Sequence, residues 1–181
     1  MATVIVAGRH RGLKLQIPKG YFSKGSARDL RPTKAVVRKS VFQRLEPLEG
    51  KQVCDLYAGI GTLGIEALSR GADHVTFVEN DRRAVSVLKQ NLAMVKAEDQ
   101  STVTTTDVVS FLGATPRCFD VVLADPPYHS IEWVDLHPLV REVLAPGGLF
   151  IMELARSAPL PGGIDARAFG KTKVGLWRKA A

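Results

Sequence analysis

The stretch Val53-Cys54-Asp55-Leu56-Tyr57-Ala58-Gly59-Ile60-Gly61-Thr62-Leu63-Gly64 constrains this chain more than any other. A short apolar strand runs into Asp55, a glycine-rich turn follows, and Thr62 to Ser69 has the pattern of a helix. That order puts a tight loop at the carboxyl end of a buried strand, where open α/β sheets bind ligands. Gly59, Gly61 and Gly64 have the G-x-G-x-x-G spacing, which lets a ligand approach bare backbone. A dinucleotide would set its pyrophosphate on the helix N-terminus, and the carboxylate of Asp55 would oppose it. S-adenosylmethionine carries an ammonium and a sulfonium instead, so the same carboxylate becomes favourable. Glu79 closes the next apolar strand, His74 to Val78, and can accept from both hydroxyls of a ribose. It suits either cofactor; Asp55 leans towards S-adenosylmethionine.

The rest of the chain repeats strand and helix at similar intervals. A helix is expected from about Asp81 to Lys96, a strand over Thr102–Thr106, and a short helix after Asp107 through Leu112. A fourth strand spans Val121–Ala124, helical segments fill Glu132 to Leu144 with a break at Pro138, and a fifth strand covers Leu149–Leu154. Two late strands, near Ala166–Phe169 and Val174–Arg178, join at Gly170-Lys171. Upstream, Thr3–Ala7 and Leu13–Ile17 flank Gly8-Arg9-His10-Arg11-Gly12 as a hairpin with a basic tip. An irregular loop over Tyr21–Leu30 follows, and a helix opens at Arg31-Pro32-Thr33 with Thr33 as N-cap. The alternation implies a Rossmann-like, doubly wound, mostly parallel α/β sheet with right-handed crossovers. Residues 1–32 are expected to form a basic hairpin extension and residues 33–181 the catalytic domain.

A second site follows the fourth strand directly. In Asp125-Pro126-Pro127-Tyr128 two prolines fix φ and remove two donors, so the turn presents carbonyl groups. Asp125 and the Pro126 carbonyl can accept both hydrogens of an exocyclic amine, which favours a pyramidal nitrogen able to attack a methyl group. Tyr128 offers a face on which a flipped-out base can stack.

Charge points to the same class of partner. Residues 1–51 hold twelve Lys/Arg against Asp29, Glu46 and Glu49, a net of +9, within a chain whose total is +7. A basic excess confined to one end is expected of a protein that meets phosphate backbones. No apolar run approaches membrane-spanning length, and the N-terminus lacks the order of a signal peptide. Cys54 and Cys118 make no disulfide framework and no zinc spacing. Both are expected to be reduced, buried packing residues of a cytosolic protein, and no metal site is expected.

Asp55 to Gly64, Glu79, Asp107 and Asp125-Pro-Pro-Tyr128 resemble the motif series of class I S-adenosylmethionine methyltransferases that modify base amino groups. More narrowly, the chain resembles the RsmD family of bacterial 16S rRNA guanine-N2 methyltransferases. The supporting segments are Ala7–Leu15, Leu30–Thr33, Gly64–Ala72 and Phe169–Val174, and the similarity spans nearly the whole chain. The resemblance implies methyl transfer to the N2 of a guanine in 16S rRNA, within an assembling small subunit, by a cytoplasmic monomer. It places the cofactor on Asp55, Ala58, Gly59, Gly61, Gly64, Glu79, Asn80, Asp107 and Val108, and the chemistry on Asp125, Pro126, Pro127 and Tyr128. Candidates for reading RNA phosphates are Arg9, Arg11, Arg28, Arg31, Lys34 and Arg38, with the hairpin tip and the helix start on one side of the active site. The residues alone leave open an N6-adenine methylase, a methylase of proteins or small molecules, a silent RNA-binding assembly factor and a dinucleotide-dependent oxidoreductase.

Overall fold

A computed structural model describes residues 3–17, 35–45, 47–127, 131 and 133–181. Among these, strands β3 (Gln52–Leu56), β4 (His74–Val78), β5 (Ser101–Thr104), β6 (Phe119–Ala124), β7 (Leu144–Ala155), β8 (Asp165–Phe169) and β9 (Thr172–Arg178) form one sheet in the order β5-β4-β3-β6-β7-β9-β8. The first five are parallel, and β9 and β8 run antiparallel. The strand order reverses between β3 and β6, so the loops after them flank the crevice of a doubly wound sheet. β3 and β6 pair from Val53–Val121 to Leu56–Ala124. Apart from Asp55 and Asp120, the residues inside their ends are apolar because both faces are covered.

Helices α2 (Thr62–Ser69) and α3 (Arg82–Met94) lie over one face, together with α1 (Ala35–Gln43) and a small hairpin of β1 (Thr3–Val4) and β2 (Lys14–Leu15). Ile5, Leu15, Val37, Phe42, Ile65, Leu68, Leu88 and Leu92 share this core with Val53, Phe77 and Leu123 of the sheet. Helices α4 (Val108–Ala114) and α5 (Trp133–Val143) cover the other face, where Val108, Trp133, Leu136 and Val140 meet Cys54, Val122 and Phe150.

The fold agrees with the sequence expectation and differs from it in detail. Helix α5 runs through Pro138 without a break. Pro138 is exposed and Val134, whose carbonyl loses its helical donor, is 51% exposed, so water can satisfy that group. Strand β7 begins at Leu144, opposite Phe119; Pro146-Gly147-Gly148 then bulge out before pairing resumes at Leu149 with Val121. Cys118 is exposed, not buried, because it precedes the first inward residue of β6, Phe119. The expected Tyr21–Leu30 loop and the Thr33 cap lie outside the described residues. No described helix is long and apolar enough to cross a membrane.

Candidate active site

The glycine loop sits at the carboxyl end of β3. The backbone is left-handed at Gly59 and Gly61, at φ 57° and 87°. Gly64 serves the packing instead. A Cβ there would lie 2.2 Å from the ring of Phe77, so its bareness seats α2 on β4. The helix has no cap from its own N-terminal neighbour Gly61. Instead Asp55 reaches up from β3, and its Oδ2 accepts the Gly64 N–H at 2.8 Å. Glu79, at the end of β4, holds the loop from the other side. Its Oε2 accepts from the Gly59 N–H and its Oε1 from the Asp81 N–H, both at 2.8 Å. A carboxylate oxygen accepts more than one hydrogen bond, so the same side chain can also take a ligand hydroxyl.

Asp55 is 1% exposed, and burial raises its carboxyl to about 8, with the charges of Asp125 and Glu79 pushing the same way and the Gly64 N–H opposing. Desolvation outweighs the helix terminus here. Asp125 and Glu79, at the ends of the two flanking strands, thus act on the buried Asp55 carboxyl, and a cationic ligand would relieve their repulsion. Beside them is a cavity of about 110 Å³ lined by Tyr57, Val78, Glu79, Asn80, Thr106, Asp107, Val108 and Val109. Its walls are apolar with a few acceptors, and no lysine or arginine is among the described residues lining it. That acceptor-lined wall fits an adenosine bearing a sulfonium and an ammonium, and opposes a pyrophosphate. Ala58 is tied into the same edge by its N–H to the Val78 carbonyl at 3.0 Å. Asp107 caps α4, accepting from the Ser110 N–H at 2.8 Å, and hydrogen bonds from Ser110 hold its carboxyl below the usual range. Tyr57 is a non-glycine residue at φ 59°, an uncommon conformation for an aromatic residue. Burial, then the charge of Asp107, raises its phenol to about 12.

Asp125 follows Ala124, the partner of Leu56, so it stands across from Tyr57 at the same edge of the sheet. Pro126 is buried and Pro127 half-buried, which holds the turn against the edge. Tyr128 lies outside the described residues. Glu153 is the next residue across the sheet from Asp125, since Ala124 pairs with Met152. Among the described residues no cluster of His, Cys, Asp and Glu could hold a metal ion.

Residues 3–177 match the family described as conserved hypothetical protein 95. Over 86% of its length the chain is 36% identical to the ribosomal RNA small subunit methyltransferase D of Haemophilus influenzae, covering 80% of that protein. The chain belongs to the RsmD family of methyltransferases. The corresponding Escherichia coli K12 protein is 38% identical over 68% of this chain and 59% of its own. The solved structure of yhhF from Escherichia coli superposes with a TM-score of 0.83 at 30% identity, covering all of this chain and 99% of that one.

In this RsmD-family chain the two supporting segments Ala7–Leu15 and Gly64–Ala72 are docking partners. Glu66, wholly buried on α2, accepts the N–H groups of Val6 (2.8 Å) and Ala7 (3.0 Å) and the Arg70 Nε (2.8 Å). Ser69 donates its hydroxyl to the Ala7 carbonyl and accepts from the His10 N–H, while its own carbonyl takes the Arg9 N–H. The hairpin tip therefore lies over the C-terminus of α2. An eight-residue helix is about 12 Å long, so the tip sits at the amino edge of the sheet, away from the active site. Arg9 and Arg11 are exposed there, Arg9 bonded to Gln100, which precedes β5. Their expected place beside the active site is corrected accordingly.

Arg38 is corrected more sharply. It is 3% exposed, donates to the Val4 carbonyl at 2.6 Å and lies 4.0 Å from Glu66. It is a packing residue between α1 and the hairpin, with no surface to offer a phosphate. Arg28, Arg31 and Lys34 lie outside the described residues. Sequence reasoning also misses Glu66, Ser69 and Asn91, polar residues on helix faces that are otherwise apolar. That break in an apolar face is the one signal that could have found them.

Proposed function

We propose that this chain transfers a methyl group from S-adenosylmethionine to the exocyclic N2 amine of a guanine in 16S rRNA, acting as a cytoplasmic monomer on an assembling small subunit. The observation that carries the reading is the placement of Asp125-Pro126-Pro127 one strand from the Asp55–Glu79 loop, at the same edge of the sheet. The ribosomal RNA small subunit methyltransferase names borne by relatives support the choice of RNA.

When bound, S-adenosylmethionine supplies a methyl group on a sulfonium sulfur. Asp55 and Glu79 are placed to hold its cationic end and its ribose, and Asp107 and Val108 line the cavity suited to its base. Asp125 and the Pro126 carbonyl accept the two amine hydrogens of the substrate, which turns the nitrogen lone pair towards the cofactor side of the crevice. Neither cysteine serves as a nucleophile. Cys54 is wholly buried in β3, with its thiol pushed far up by burial, then by Asp55, against the charge of Arg117. Cys118 lies at the amino end of β6, opposite the crevice.

Incubating the protein with methyl-labelled S-adenosylmethionine and small subunits from a strain lacking the enzyme tests the reading. Nucleoside digestion should yield N2-methylguanosine, and Asp125→Ala should lower kcat far more than it weakens either substrate, because its hydrogen bond strengthens as the amine pyramidalises. Label on adenine N6, on protein, or nowhere would overturn it.

A further inference from the structure

Asn91 is wholly buried within α3, yet its amide is bonded to two distant segments of the chain. Its Oδ1 accepts the Gln16 N–H at 2.8 Å. Its Nδ2 donates to the Gln16 carbonyl at 3.2 Å and to the Ile60 carbonyl at 3.0 Å. Ile60 stands between Gly59 and Gly61, in the middle of the cofactor loop. Gln16 ends the N-terminal hairpin and leads towards the basic residues that follow it in sequence. One side chain thus bridges the N-terminal arm and the glycine loop.

The rest of the hairpin makes this bridge mechanically effective. At its far end it is fixed to α2 through Glu66 and Ser69, and Gly8 approaches so closely that a Cβ would lie 1.8 Å from the Ser69 carbonyl oxygen. The same α2 springs from the glycine loop. The hairpin is therefore a strut pinned near both ends of one helix, and Asn91 is its pin at the loop end. A buried amide on an otherwise apolar helix face costs desolvation unless fully bonded. A hydrophobic residue would pack α3 more simply, so the amide marks a geometric demand.

We propose that Asn91 is a positioning residue that ties the N-terminal arm to the cofactor loop, so that nucleic acid on the arm and cofactor in the loop strengthen each other's binding. The inference rests on the proposed methyl transfer to RNA. Coupling of this kind is reciprocal: the factor by which RNA tightens the cofactor is the factor by which the cofactor tightens RNA.

The experiment measures the dissociation constant of S-adenosylhomocysteine by calorimetry, with and without saturating small subunits from a strain lacking the enzyme. In the wild-type protein the subunit tightens cofactor binding. Asn91→Leu should weaken cofactor binding in the free protein by roughly three- to tenfold, as loss of a neutral hydrogen bond does, and bring the coupling factor to one. Gln16→Pro deletes the N–H that Asn91 accepts and leaves α3 untouched; it should halve the coupling or more. Gln16→Ala keeps the backbone and should behave as wild type, because the Gln16 side chain is exposed. A purely structural role for Asn91 would lower the melting temperature and leave coupling intact in whatever fraction stays folded. Wild-type coupling in Gln16→Pro, or in folded Asn91→Leu, overturns the proposal. Absence of cofactor binding in the wild-type protein would instead overturn the methyl-transfer reading beneath it.

Discussion

Asp55 holds two roles in tension. It caps α2, and in the proposed reading it also faces the cationic end of the cofactor; its burial sets the terms of both. Its folded carboxyl is raised to about 8, above the 3.8 of an unperturbed aspartate. The folded state therefore binds the extra proton, so the stability contribution is complete below about 3.8 and is lost progressively as pH rises through 8. Asp55→Asn keeps an acceptor for the Gly64 N–H and carries no charge. The variant should gain on the wild type in melting temperature as pH rises from about 4 to about 8, with no further gain beyond, and thermal unfolding across that range checks it. The same change should weaken S-adenosylmethionine by roughly ten- to a hundredfold, the loss of a charge-assisted hydrogen bond. In the wild type, cofactor affinity should climb with pH towards 8 and then fall as the ligand's own α-amino group, at about 7.7–8.0, loses its proton. The Asn variant should lack the rising limb. At the other extreme of exposure, Cys118 should react with a thiol reagent in the native protein while Cys54 stays protected until unfolding.

At the level of elements, the hairpin and α2 behave as one unit although Val6 and Glu66 are 60 residues apart. Gly8 is at φ 78° and has no space for a methyl group beside the Ser69 carbonyl. Gly8→Ala should therefore destabilise by about 2–5 kcal/mol, combining a left-handed backbone with overpacking. Gly12, also at positive φ but with nothing within 4 Å of its missing Cβ, should cost only the conformational part in the same substitution; denaturant titrations of the two variants separate the two effects. Parallel strands, helices and the glycine loop are legible because each writes a local period or a spacing into the sequence. The spacing predicts α2 over Thr62–Ser69, and it forms there. Arg38 is misread for the opposite reason. A lone arginine near Lys39 has the sequence pattern of a solvated helix face, and only the docking of a hairpin strand, Val4 being 34 residues upstream, buries it. The remote cap from Asp55 and the bridge from Asn91 are likewise long-range and leave no periodic trace.

For the whole molecule, the sheet separates two kinds of surface. Its carboxyl edge gathers Asp55, Glu79, Asp107 and Asp125, while the hairpin tip carries Arg9 and Arg11 to the amino edge. Basic residues there should contribute to RNA affinity without touching the reacting base. Replacing Arg9 and Arg11 together should raise KM for small subunits and leave kcat and the cofactor affinity of the RNA-free protein unchanged. It should also flatten the dependence of log affinity on log salt by roughly 0.7–0.9 for each phosphate no longer neutralised. An unchanged salt slope would show that the tip meets no phosphate. The hairpin's long-range anchors also set an order of events during synthesis. Residues 3–17 leave the ribosome well ahead of their partners Glu66, Ser69 and Asn91, which follow 59 to 75 residues later. Local contacts form early and distant ones late, so the arm settles on a nascent chain only after α2 and α3 have emerged. Until Asn91 emerges, the glycine loop lacks its brace. A ribosome stalled with residues up to about 85 exposed should display a chain whose N-terminal arm is still open to proteolysis.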